Sequence, residues 1–482
     1  MKKILWIMNK YVKGEKDEAY YPHFLKHLQD ELSAKDIELH FVFFSNLMKN
    51  NIQGNNNHFY SSLLFNDLSE LDLQKEAFRI ESEYVFTFKQ AWFPDILQVS
   101  KKQNNRKITV PENELNDIEP LIKKFLFLEE LISKEEIDII FSDVSPEAEM
   151  EFGRAIGHKL GKLVLKTYEG SFLGRTVLLE HTKFGQDKLV EFVIDKNYSL
   201  DDANAFMNDY INNQGQPSYL GLKKLQYKSS VIEKVSSKIL NNKLLIFTLV
   251  FKKFFNFLFG IWLWFESTIL KKIIYDKFEE GRPYLFFGFH LNQESTIGLR
   301  SIPFVNQTVL IEMISRVLPY NYTLYVREHP HWPKRFPFGY LNKLKSYPNV
   351  RLLSPKISVH RILKNSKGIL VYNSNTGIEA LMYGKPVLSF ASNIYYNHHP
   401  AVLHCLNLYE IGEKLSKLIK MRVEREDTIK YLKKMFSVSI DFLLNSYFFL
   451  SDEDAKEKAK CFSNLLTGII TNNDPKTKEV IL

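Results

Sequence analysis

Tyr325-Val326-Arg327-Glu328-His329-Pro330 and Val371-Tyr372-Asn373-Ser374-Asn375-Thr376-Gly377-Ile378-Glu379-Ala380 are built alike. Each begins as a short β-branched and aromatic run that suits a strand. The first run, from Thr323, stops at a proline, which offers no N–H to a ladder. The second, from Gly368, stops at Asn-Ser-Asn-Thr-Gly and passes into Ile378, Ala380, Leu381 and Met382, which read as a buried helix. Strand, polar turn and helix in succession predict consecutive βα units of a parallel sheet, whose turns gather at the carboxyl ends of the strands, where ligands bind. The second turn brings hydroxyls and backbone N–H groups to a helix start, which suits a phosphate. Arg327 and His329 bring the neutralising charge. Each turn taken alone has a plainer explanation, a strand stop and a helix cap. Their pairing favours a site.

The same alternation extends in both directions. Tyr284 to His290 reads as the first strand of this half, followed by the polar turn Leu291-Asn292-Gln293-Glu294-Ser295-Thr296 and a helix around Val309–Ile314. Asn349–Leu353 and Lys385–Phe390 read as further strands, the second as the last, and 408–470 as helical. Towards the start, Ile4–Met8, a helix through Phe24, Leu25, Leu28 and Leu32, and Ile37–Phe44 form a βαβ opening. Met1 to Met8 looks at first like a signal peptide, but its apolar run is short and Asn9-Lys10 follows, so it reads as a core strand. Residues 60–135 read as mostly helical. Ile137–Phe141 and Lys162–Leu165 are strands, the second ending at Thr167. Asp143 and Glu169 then fall just past strand ends on one rim, placed to act as base or nucleophile. A helix-capping aspartate and a solvated glutamate are the plainer alternative.

Residues 240–275 are the most apolar stretch, rich in Phe and Trp and broken by Lys252-Lys253. Neither part reaches the roughly 20 apolar residues of a spanning helix. Aromatics among lysines suit a helix in a membrane interface. A pair of helices buried between domains is the alternative.

At 482 residues the chain is too long for one core. Its 45% hydrophobic and 25% charged content is that of a globular protein. Two cysteines, Cys405 and Cys461, exclude a disulfide framework and point to a reducing, cytoplasmic setting. There is no CxxC, zinc-finger, RNA-binding or Walker pattern, and a net charge of +8 suits anionic ligands or an anionic membrane without requiring nucleic acid.

The string Phe287-Gly288-Phe289-His290-Leu291-Asn292-Gln293-Glu294-Ser295-Thr296 resembles a segment of bacterial capsule polysaccharide biosynthesis proteins of the Kdo-transferase-like type. The resemblance continues through Asn306-Gln307, Arg327-Glu328-His329-Pro330, Asn349-Val350, Ser374 to Ala380, and Gly384-Lys385-Pro386-Val387. It covers about 280–395, and weakly 169–180. It implies two Rossmann-like, doubly wound α/β domains facing a cleft, the glycosyltransferase B arrangement. It also implies a cytidine monophosphate sugar donor. His329 would contact the donor phosphate, the Ser374–Thr376 turn would hold the same phosphate, and Glu294 or Glu379 would accept hydrogen bonds from the nucleoside. His290, Arg327, Pro330, Asn375 and Lys385 complete the donor-binding set. The catalytic carboxylate would come from the first domain, from Asp143, Glu169 or Glu180. The chain departs from the family where its Gln-Pro-Glu turn becomes Gln293-Glu294 and where its lysine before Glu-His-Pro becomes Arg327.

The expected division is an acceptor domain over 1–235, an apolar and basic helical segment over 236–278, a nucleotide-sugar domain over 279–420 and C-terminal helices with a tail over 421–482. The expected activity is sugar transfer from a nucleotide-sugar, CMP-linked, to a lipid-linked or glycan acceptor. No cofactor and no metal are expected, and the chain is placed at the inner face of the plasma membrane. Transfer of a polyol phosphate from a cytidine diphosphate donor, or a non-catalytic role in capsule assembly or export, are the rivals.

Overall fold

A computed structural model describes residues 1–8, 23–44, 56–61, 63–84, 86–88, 114–142, 148–172, 175–181, 187–190, 198–214, 265, 271–290, 304, 306–329, 338–372, 374–391, 395–441, 444 and 450–473. The first part of the chain runs β1 (Lys2–Ile7), α1 (His23–Ser33), β2 (Ile37–Phe43), β3 (Asn57–Phe59), α2 (Glu70–Tyr84), α3 (Glu114–Lys134), β4 (Ile139–Ser142), α4 (Ala148–Lys159), β5 (Leu163–Phe172), β6 (Arg175–His181), β7 (Asp187–Leu189) and α5 (Leu200–Asn212). The second part runs α6 (Lys271–Ile274), β8 (Tyr284–Gly288), α7 (Gln307–Val317), β9 (Thr323–Arg327), α8 (Phe338–Lys345), β10 (Val350–Leu353), α9 (Val359–Asn365), β11 (Gly368–Val371), α10 (Thr376–Met382), β12 (Val387–Ser389), β13 (Val402–His404), α11 (Ile411–Lys420), α12 (Arg425–Ser437), β14 (Ser439–Ile440) and α13 (Asp452–Asn473).

Two Rossmann-like sheets result, as expected. The second has the order β10-β9-β8-β11-β12-β13, parallel throughout. Its strands are near-continuous apolar runs because both faces are covered. Leu285 and Phe287 enter one core with α7, α8 and α11, while Tyr284 and Phe286 enter the other. The chain reverses direction across the sheet between β8 and β11, so the carboxyl ends of these neighbours flank a natural ligand crevice. The first sheet has the order β14-β6-β5-β4-β1-β2-β3 with β7 beside β6, and it is parallel from β3 to β5.

Several elements differ from the sequence expectation. β5 continues past Thr167 to Phe172, because β6 returns antiparallel and satisfies its ladder, with a register shift between Tyr168 and Phe172. That irregularity accommodates Gly170 inside a strand. Lys385–Phe390 is not the last strand. β13 and β14 follow, each too short to stand out as an apolar run. The chain also returns to its beginning. α13 packs Ala455, Ala459, Phe462 and Leu466 into the core formed by Phe24, Leu25 and Leu28 of α1. α5 packs between the halves, with Phe206, Met207 and Tyr210 in one core with Val177 and Leu179 of β6 and Ile369 and Val371 of β11.

Buried histidines tie this fold to pH. The His399 Nδ1 accepts from the Ala401 N–H at 3.1 Å, so its Nε2 carries the proton and donates to Thr428 Oγ1 at 3.2 Å. Burial, opposed by Asp427, pushes its pKa down to about 4 from 6.5. Between those values the unfolded chain binds a proton that the folded chain refuses. The contribution to stability is therefore complete above pH 6.5 and is lost as the pH falls towards 4. His290, pushed down to about 3, acts in the same direction. Each is expected to cost roughly 3 kcal/mol at the acid end. Melting temperature should fall steeply from pH 7 to 4.5, and His399→Gln should flatten the slope. An unchanged slope excludes His399 as a source.

Candidate functional site

Three strand ends build the site. β8 ends at Gly288 and passes through Phe289 to His290, and the Phe289 N–H still donates to the Arg327 carbonyl at 2.9 Å. His290 is held by its own backbone. Its N–H donates to Gln307 Oε1 at 3.0 Å, and its carbonyl accepts from Gln307 Nε2 at 2.8 Å. Gln307 is fully buried at the first position of α7, whose N-cap is Asn306. The His290 ring stands edge-on to Tyr372 at 5.0 Å, and its Nε2 accepts from the Tyr372 N–H at 3.5 Å, which puts the proton on Nδ1. Burial first, and His329 beside it second, keep this imidazole neutral.

β9 supplies Arg327, Glu328 and His329, whose surroundings differ. Arg327 turns into the core, donates from Nη1 to the Ile357 carbonyl at 2.7 Å and lies 5.9 Å from the Phe286 ring. Its Nε is buried and unpartnered. Burial lowers its pKa against the opposing pull of Glu379. Glu328 is buried and accepts a short hydrogen bond from the Tyr275 hydroxyl. His329 is half-buried, close enough to His290 to disfavour its protonation.

β11 leads into the third component. Ser374 Oγ donates to Thr376 Oγ1 at 3.0 Å and accepts from the Thr376 N–H at 3.2 Å, and the Ser374 carbonyl accepts from the Tyr396 hydroxyl at 2.7 Å. A Cβ on Gly377 would lie 2.4 Å from Tyr396, so only glycine lets that ring close over the start of α10. One turn on, Glu379 Oε1 accepts from the Tyr210 hydroxyl at 2.8 Å. Half-buried hydroxyls, an imidazole, a buried guanidinium and a carboxylate thus share one rim. This set can hold a phosphate and a group bearing hydrogen-bond donors.

Residues 264–398, which include all three strand ends, match the family described as capsule polysaccharide biosynthesis protein. The match covers those residues only, and over them the chain is similar to that family. No curated protein matches the chain. Among solved structures it is similar to KpsC, beta Kdo 2,4 transferase, of Thermosulfurimonas dismutans, at 11% identity over 62% of this chain and 80% of that one, with a TM-score of 0.35. The beta Kdo 2,7 transferase of the same protein matches at 12% identity over 73% and 97%, with a TM-score of 0.33. The UDP-GlcNAc 2-epimerase of Methanocaldococcus jannaschii matches at 12% identity over 90% and 99%, with a TM-score of 0.26. At these scores the likenesses carry no functional weight.

Within the matched segment, His290, Arg327, His329, Ser374, Asn375, Thr376 and Glu379 come together. Lys385 does not. It lies in the turn before β12, at the amino ends of the strands, because a helix in a βαβ unit must return the chain to that rim. Glu294 and Pro330 lie outside the described residues. In the first half, Asp143 is outside them too, and Glu169 lies within β5 instead of beyond its end. Glu180, half-buried on β6, pairs with Leu165 of β5, which lies level with Phe141 next to the carboxyl end of β4. Gln307, Tyr210 and Tyr396 are site residues to which the sequence reading gave no role. Gln307 fell within the family resemblance, while no signal marked the two tyrosines. Among the described residues there is no cluster able to hold a metal ion, and no helix long and apolar enough to cross a membrane. The apolar stretch 243–264 lies outside them.

Proposed function

We propose that the chain is a glycosyltransferase of capsule or other surface polysaccharide synthesis, with a nucleotide-sugar donor, CMP-linked, in the second-half site. One observation carries this reading: His290, His329, the Ser374–Thr376 hydroxyls and Glu379 converge beside the β8–β11 crevice inside the matched segment. In the reaction, an acceptor hydroxyl oxygen bonds to the sugar's anomeric carbon as the bond from that carbon to the phosphate oxygen breaks. The departing cytidine monophosphate keeps the electron pair. His329 and the Ser374–Thr376 turn stabilise the charge that develops on it. The acceptor proton passes to a first-half carboxylate, Asp143, Glu169 or Glu180, and no metal takes part. The acceptor is lipid-linked or a glycan. Residues 236–278 hold the chain to the anionic inner face of the plasma membrane, which flotation with anionic but not neutral liposomes would support.

A thermal-shift panel of cytidine, uridine and guanosine nucleotides tests the donor. Binding at 100 times Kd adds about 2.7 kcal/mol to the folded state, so cytidine nucleotides should raise the melting temperature by a few degrees. A response to uridine alone overturns the cytidine assignment. No response to any nucleotide favours a non-catalytic assembly partner. Turnover of a cytidine diphosphate polyol in place of a CMP-sugar would assign the polyol-phosphate reaction instead.

A further inference from the structure

Glu379 is oriented by a residue from the other half of the chain. The Tyr210 hydroxyl donates to its Oε1 at 2.8 Å across 169 positions of sequence. Among the described residues no other hydrogen bond reaches that carboxylate, and Arg327, though it faces it, makes no ion pair with it. Tyr210 is 5% exposed, and burial together with the Glu379 charge holds its phenol protonated. It is therefore a fixed donor. The helix that carries it is firmly seated. Phe206 packs edge-on to Phe436 at 5.0 Å, Arg425 Nη2 donates to the side chains of Asn204 and Asn208 at 2.8 and 2.6 Å, and the Ile211 carbonyl accepts from the Tyr383 hydroxyl at 3.5 Å.

We propose that Tyr210 is a positioning residue of the donor site: by occupying Glu379 Oε1 it turns Oε2 towards a hydrogen-bond donor of the bound nucleotide. This rests on reading the second-half site as a nucleotide site. A carboxylate on a free rotor loses orientation when a ligand hydroxyl or amino group approaches. One held by a buried phenol keeps it, so the ordering cost is met at folding and not at binding. The contact also makes donor affinity depend on the first half, since α5 must be docked for the carboxylate to be aimed.

The test is calorimetric titration with cytidine monophosphate. Tyr210→Phe removes one oxygen and keeps the ring. It should weaken binding about tenfold and raise the donor KM with kcat nearly unchanged. Glu379→Gln should weaken binding at least as much, and the double variant should be no weaker than Glu379→Gln alone. Asn204→Ala with Asn208→Ala removes the exposed Arg425 contacts of the same helix, keeps the Phe206 packing that docks it and the phenol, and should leave affinity unchanged. If that pair weakens binding as much as Tyr210→Phe, the tyrosine is only part of the packing and the proposal falls. If Glu379→Gln loses affinity and Tyr210→Phe does not, the site reading stands and the role of Tyr210 falls. If Glu379→Gln binds like the wild type, or the wild type takes up no cytidine monophosphate, the site reading itself falls.

Discussion

His329→Ala is expected to lower turnover about 100-fold while leaving the fold intact, the loss usual for one preorganised donor to a developing charge. Three features single out this side chain. It follows β9 at the carboxyl rim, it is half-buried and so open to a ligand, and it stands beside His290. His290 cannot supply charge, because burial keeps it neutral down to about pH 3 and its Nε2 faces the Tyr372 N–H. Arg327 is turned into the core towards Ile357 and Glu379. Among the described residues of these strand ends, His329 is then the one that would meet the departing phosphate in the proposed reaction. A half-buried histidine in a loop should cost about 1 kcal/mol or less when truncated. Steady-state rates at saturating donor, read beside melting curves, check this. A folded variant with full turnover removes His329 from the mechanism, and an unfolded one makes it structural.

The sequence made the central units legible because their signals are local. A β-branched run ending in Glu-His-Pro, and another ending in Ser-Asn-Thr-Gly before a buried helix, fix both the elements and the rim on which their polar residues gather. Lys385 shows where local reading stops. Gly384-Lys385-Pro386 is as polar and as turn-like as the site loops, but it connects helix to strand and so belongs to the opposite rim. Glu180 shows the same limit from the other side, since no local signal reveals that the β5–β6 hairpin carries it back level with Phe141 of β4. Tyr210 was beyond reach altogether. Asn208-Asp209-Tyr210 is an ordinary helical stretch, and its role exists only once α5 packs against α10.

The strongest expected effect on stability belongs to Arg175, which the sequence presented as an ordinary residue after a glycine. It opens β6 and is 3% exposed. Its guanidinium donates from Nε to Ser439 Oγ at 2.7 Å, from Nη1 to Asp441 Oδ1 at 3.0 Å and Tyr198 Oη at 3.3 Å, and from Nη2 to the Ser439 and Phe436 carbonyls at 3.0 and 3.4 Å. The rings of Tyr198 and Phe436 lie 5.5 and 5.6 Å away. These partners sit where the chain leaves α12, packed with the second half, and enters β14, paired with β6 of the first. Arg175→Ala leaves buried carbonyls and a serine hydroxyl without their donor, and should cost about 3 kcal/mol. Arg175→Lys keeps the charge but has no planar fork, so it should recover only part of that loss. Denaturant unfolding of the three proteins measures it, followed separately by hydrogen exchange in α13, because a chain of two halves need not unfold in one step. If Arg175→Ala costs less than about 1 kcal/mol in either reading, the return of the chain to its first sheet is held by the α1–α13 core, and the guanidinium is dispensable to it.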